Sequence, residues 1–113
     1  MVQYTGREGI NKVAVGELFN LGDFTAVGAG SSVDTIVGYQ YISWQVTSDA
    51  TASAVGVDLE GSIDGSNWFT LDTSSSIADV FRSITGKPVR YLRANVTGFG
   101  DATTVSVRAY CIK

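Results

Sequence analysis

The 113-residue sequence has no histidine, one cysteine and one proline. Without histidine it lacks both the side chain most used for proton transfer near neutral pH and the usual base partner of a nucleophile. A lone cysteine, Cys111, allows no internal disulfide and no cysteine cluster for zinc. Its parity matches Val105, Val107 and Ala109, so it reads as a small apolar side chain in a terminal strand. No run approaches the ~18 to 20 apolar residues of a membrane-spanning helix. The opening MVQYTGREGINKVAVG has no basic stretch followed by an apolar one, so the chain is expected to be made and kept soluble without a Sec-type leader, and no membrane partner is expected. Charge is sparse as well: 17% of residues are charged, the formal net charge is −3, and the eight basic residues are scattered, which argues against a nucleic-acid partner. GAGSS at 28–32 is no phosphate loop, because no Gly-Lys-Ser/Thr follows and a β-like run comes next.

What is present is 44% hydrophobic residues and thirteen glycines, the composition of a turn-rich globular domain. A chain of this length forms one domain and buries roughly two thirds of the surface its unfolded chain exposes. From Asp23 onward short apolar or alternating runs are bounded by Gly, Ser, Asp and Thr. The pattern predicts about eight strands, near 23–28, 33–37, 39–48, 54–63, 67–71, 78–84, 89–97 and 103–112. In 39–48 Ile42, Trp44 and Val46 share one face, and Tyr39, Tyr41, Ser43, Gln45 and Thr47 the other. Leu92, Ala94 and Val96 alternate with Arg93, Asn95 and Thr97, and Val105, Val107, Ala109 and Cys111 alternate with Ser106, Arg108 and Tyr110. Such alternation means antiparallel sheets with one wet face, hence an all-β antiparallel sandwich, jelly-roll-like. SSSIADVFRSI at 74–84 fits a helical period, but flanking strands favour a loop followed by a strand.

Residues 1–22 alternate poorly and read as an extended N-terminal arm, leaving 23–113 as the sandwich domain. Such an arm either covers an edge of its own sheet or reaches a neighbour. Its candidate contact residues are Tyr4, Arg7, Val13, Val15, Leu18 and Phe19. Tyr39 and Tyr41, with Tyr91 from a neighbouring strand, suggest either an interface or a flat platform for a glycan ring.

EGSIDGSNWFTL at 60–71 offers three readings: a metal loop, a catalytic carboxylate turn or a hairpin tip. Asp64-Gly65-Ser66-Asn67 has turn chemistry, with a glycine for positive φ and side chains that bond their own backbone. A calcium loop would need alternating oxygen ligands and a glutamate at its twelfth position, which are missing here. Val55, Val57, Leu59 and Ile63 share the inward parity, and Asp58, Glu60 and Ser62 the outward one. Asp58 and Glu60, roughly 6.5 to 7 Å apart along a strand, approach the separation of an inverting glycosidase pair. Any Asp-x-Glu on a wet strand face does the same, so the chain reads as a non-enzyme without cofactor or resident metal. Whether a cation uses Asp58, Asp64 or Asp72 stays open.

LEGSIDGSNWFTLDT, followed fifteen residues later by VRYLRANVTGFGDATTVSVRAYCI, resembles small virion proteins of tailed bacteriophages. In those, a G-S-x-D-G-x-N-W hairpin leads to an R-Y-x-R-x-x-V strand. The resemblance covers residues 58–112 and extends to carbohydrate-binding and discoidin-like sandwiches with similar hairpins. For a phage protein it implies a β-sandwich on a capsid or tail that does no chemistry, with capsid decoration or cement as the first reading. It also implies virion localisation, capsid or other virion proteins as partners, and a symmetric homo-oligomer, with a trimer favoured. A module binding host glycans is the second reading.

Overall fold

The alternation in residues 41–48 is realised as a central strand. In a computed structural model, described over residues 16–113, β4 (Tyr41–Ser48) buries Ile42, Trp44 and Val46 and turns the intervening side chains away from the core. It lies between β9 (Val105–Ile112) and β7 (Val80–Thr85), and β1 (Gly16–Phe24) completes an antiparallel sheet of order β1-β9-β4-β7. The second sheet centres on β5 (Val55–Ser62), which pairs with β8 (Tyr91–Gly98) and β6 (Phe69–Ser76). The two-residue strands β2 (Gly28–Ala29) and β3 (Val33–Asp34) both pair with β8. Trp44 and Val107 from one sheet and Val57, Leu59 and Leu92 from the other are at most 1% exposed in the core. Each such apolar side chain stabilises the fold by about 1.5–3 kcal/mol.

The all-β antiparallel sandwich is therefore the architecture, with nine strands among the described residues. The 74–84 segment is strand, turn, strand: β6 runs to Ser76 and β7 starts at Val80. Four expectations differ. Residues 16–22 form most of β1, with Phe19 and Leu21 in the core, so this part of the expected arm belongs to the sandwich. Ile63, expected inside, is 80% exposed because the chain has already left β5 for the hairpin tip. Glu60 and Ser62, expected outside, are buried, since β5 is a central strand whose outer side is covered by neighbouring side chains. Tyr39 does not continue the face of Tyr41: it precedes the strand, and at 3% exposure it packs edge-on against Phe19 at 6.2 Å.

Both sheets interrupt their edges. A bulge places Leu21 as an extra residue in β1 opposite β9, with the Gly22 N–H bonded to Asn20 Oδ1 at 2.9 Å. A second bulge at Leu71 in edge strand β6 turns Asp72 inward. There the Trp44 indole N–H donates to Asp72 at 3.0 Å across the sheets, and Arg82 grips the same carboxylate at 2.9 and 3.0 Å. Inward-pointing charge and bulges are recognised protections of a sheet edge against pairing with another chain.

Candidate functional site

The two outer sheet faces differ in chemistry. On the β1-β9-β4-β7 sheet, the cross-strand rows run Leu18, Tyr110, Ser43, Ser83 and, one step along, Asn20, Arg108, Gln45, Phe81. Leu18 is 67% and Phe81 71% exposed, and Tyr41, Tyr110 and Ile112 are also exposed. Between Leu18 and Tyr110 on one side and Phe81 on the other lies a groove of about 240 Å³, with Ser43 and Ala109 in its lining. Ser43 and Ser83 hydrogen-bond each other at 3.0 Å. Among the described residues, the outward strand positions of this sheet carry two charges, Arg108 and Asp23, which bond each other at 3.0 Å near one end. Ser106 and Arg108 together hold the Asp23 carboxyl below its ordinary pKa. The result is apolar, aromatic and poor in free charge.

The outer face of the second sheet is polar. Arg93 donates to Glu60 Oε1 at 2.7 Å, Asn95 donates to Glu60 Oε2 at 3.1 Å, and the Arg93 guanidinium lies 4.2 Å from the Trp68 ring centre. Beside them the Thr73 hydroxyl donates to Asp58 at 2.9 Å. The Asp-x-Glu pair is thus engaged in the sheet's own side-chain bonds.

The 60–71 segment is a hairpin turn, as its chemistry predicts. Gly65 has φ 80°, and Asp64 Oδ1 accepts the Ser66 and Asn67 backbone N–H groups at 2.8 Å each. These bonds hold the Asp64 carboxyl far below the usual carboxylate range. Tyr91 packs under the turn, 3.4 Å from where a β-carbon on Gly65 would sit. Asp58, Asp64 and Asp72 are each bonded to separate partners, and no group of three potential ligands gathers among the described residues.

Tyr39, Tyr41 and Tyr91 do not make one platform. Tyr39 is in the core with its hydroxyl bonded to Glu17 at 3.2 Å, Tyr41 lies on the outer face of one sheet, and Tyr91 belongs to the other. Of the candidate arm contacts, Leu18 is on the apolar face and Phe19 is in the core, while Tyr4, Arg7, Val13 and Val15 lie outside the described residues. Sequence reasoning missed Phe81 and Leu18 as members of one surface, because β1 and β7 are brought together only through β9 and β4.

It also missed a turn at Ile36. This residue has φ 65°, and the Val37 N–H reaches back to the Thr35 carbonyl at 2.6 Å. A β-branched residue there is strained. Thr35, bonded to the Val89 and Arg90 carbonyls at 3.0 Å, and the Asp34–Arg90 fork at 2.9 and 3.0 Å hold it in place.

No family model matches the chain, and no curated protein matches it in sequence. Among solved structures it is similar to the SPBc2 prophage-derived protein YomS, with TM-score 0.62 and 8% identity over 87% of this chain and 93% of that one. It is also similar to PirA, with TM-score 0.42 and 9% identity over 91% of this chain and 97% of that one. The likeness to YomS is one of fold.

Proposed function

We propose that this chain is a structural protein of a phage virion, a decoration or cement protein that works by surface contact rather than catalysis. The observation that carries the reading is the outer face of β1-β9-β4-β7, where exposed Leu18, Tyr41, Phe81, Tyr110 and Ile112 surround a groove. Aromatic enrichment with depleted charge distinguishes the core of a protein interface from ordinary surface. The sequence resemblance to phage virion proteins supports the same reading, and the fold is shared with a protein whose name is prophage-derived. Asp58, Glu60, Asp72 and Asp101 serve hydrogen bonds that hold strands and loops together, which suits a role without a reacting group. The partners are other virion proteins and further copies of this chain, with residues 1–15 as the attachment arm. Purified particles of the encoding phage should contain this protein at a fixed ratio to the major capsid protein by quantitative mass spectrometry. Particles that lack it would overturn the proposal.

A second reading, a glycan-binding module, is favoured by one cluster: Trp68, Arg93, Glu60 and Asn95 on the outer face of the other sheet. An aromatic ring beside fixed polar groups suits a sugar. A soluble glycan panel that raises the melting temperature, with the rise lost in Trp68→Ala, would favour this reading. The virion reading expects no rise.

A further inference from the structure

We infer that the outer face of the β1-β9-β4-β7 sheet is where two copies of this chain pair across a two-fold axis. The inference deepens the virion reading and rests on it. It commits to a second copy because the face carries both halves of a contact. Phe81 stands on β7 at one edge, Leu18 stands on β1 at the other, and the groove lies between them. With the faces opposed and a two-fold axis along the strands, β7 of each copy lies over β1 of the other. Phe81 of each copy then lies over Asn20 of the other, one cross-strand row from the Leu18–Tyr110 wall and flanking it. The contact is made twice by symmetry, the self-complementary arrangement of an isologous interface.

Size and charge agree with that occupant. Four strands at ~4.8 Å spacing and about eight residues at ~3.3 Å rise cover roughly 500 Å² per copy. Two copies bury about 1,000 Å² together, the lower bound for a specific interface. The pair is therefore expected to be reversible. The Arg108–Asp23 ion pair is internal to each copy, so pairing strands no charge at the centre of the contact. The other sheet carries Arg93, Glu60 and Asp58 on its outer side, so that face offers a second copy a charged surface.

The test is sedimentation velocity of the full chain over a concentration series spanning the micromolar range, together with Phe81→Asp and Leu18→Asp variants. The expected result is a reversible monomer–dimer equilibrium, with association weakened (the dissociation constant raised) at least about thirty-fold by either substitution, the size of an interface hot spot. Both positions are exposed on the free chain, so circular dichroism and melting temperature should stay close to those of the parent. Should one variant fail to fold, the other carries the comparison. A strict monomer throughout, a trimer, or a dimer indifferent to both substitutions would overturn the two-fold pairing. The virion reading would survive that result if particles contain the protein, and would fall separately if they do not.

Discussion

Asp49 and Asp101 each hold the loop that carries the other. Asp101 accepts the backbone N–H groups of Thr51, Ala52 and Ser53 at 3.0–3.2 Å in the β4–β5 loop, the loop that begins with Asp49. Asp49 in turn accepts the N–H groups of Thr103 at 2.8 Å and Thr104 at 3.2 Å, just beyond Asp101, and also bonds the Thr103 hydroxyl. Both loops cross from one sheet to the other, so two carboxylates close one end of the sandwich.

This clamp predicts acid sensitivity. The hydroxyl and backbone donors lower both carboxyls from the ordinary 3.8, and Asp101 falls furthest. A depressed folded pKa means that the unfolded chain binds more protons in acid, so the stabilisation is present above about pH 4 and is lost as pH falls through the folded values. Melting temperature should be nearly flat from pH 7 to 5 and drop progressively below 4. Asp101→Asn should lower it at pH 7 and flatten the acid drop. A double-mutant cycle with Asp49→Asn should show coupling, and strict additivity would count against the reciprocal clamp.

Gly100 sits inside the same clamp. It has φ +57°, and a β-carbon there would lie 2.5 Å from the Ser53 carbonyl oxygen and 2.7 Å from that of Ala54. Alanine stabilises by about 0.4–1 kcal/mol where the backbone suits it, but here strain and clash reverse the sign, and Gly100→Ala should destabilise by more than about 1 kcal/mol. Urea titration checks this, and an unchanged midpoint would contradict the geometry.

The Trp44–Asp72 bond links the sheets through an edge strand. Trp44→Phe keeps most of the ring volume and removes the N–H donor, leaving Asp72 to Arg82. The expected loss is about 1–3 kcal/mol by chemical denaturation. Because Trp44 is 1% exposed and Trp68 is half-buried, acrylamide should quench the variant's remaining fluorescence more strongly than the parent's.

Cys111 is buried, and burial, helped by the Glu17 carboxylate, pushes its thiol up to about 11. A thiol-specific chromogenic reagent at pH 8 should leave the native protein unmodified and titrate one thiol per chain in denaturant. Rapid labelling of the native state would contradict the packed terminal strand.

Strand parity was the most legible part of the sequence. Ile42, Trp44 and Val46, then Leu92, Ala94 and Val96, then Val105 to Cys111 alternate cleanly because their intervening neighbours are polar or sit on an outer face. The same rule failed where the outer face is itself apolar: Leu18 beside buried Phe19 hides the alternation of β1, and its pairing with residues 105–112 spans nearly the whole chain. Glu60 looked wet because its cover, Arg93 with Trp68 behind it, comes from other strands. Tyr39 was misplaced because strand parity has no meaning before Tyr41, where the strand begins. The apolar face, the candidate site, required strand order, which local pattern does not encode.

The placement of Phe19 and Leu21 in the core also fixes how an attachment arm can be tested. A truncation through Gly22 would remove most of β1 and unfold the sheet, whereas one ending at residue 15 leaves every described strand intact. The truncated chain is expected to melt near the parent temperature and to attach less firmly, residues 1–15 adding to the contact made by the apolar sheet. Full attachment would show that the apolar sheet suffices without them.

The central claim, that this chain acts by surface contact through its apolar sheet, is tested most directly on particles. Phage carrying Leu18→Asp with Phe81→Asp should assemble with the variant folded but nearly absent from purified virions, while parent phage retain the protein at constant ratio. Undiminished occupancy by the doubly charged variant would contradict the account.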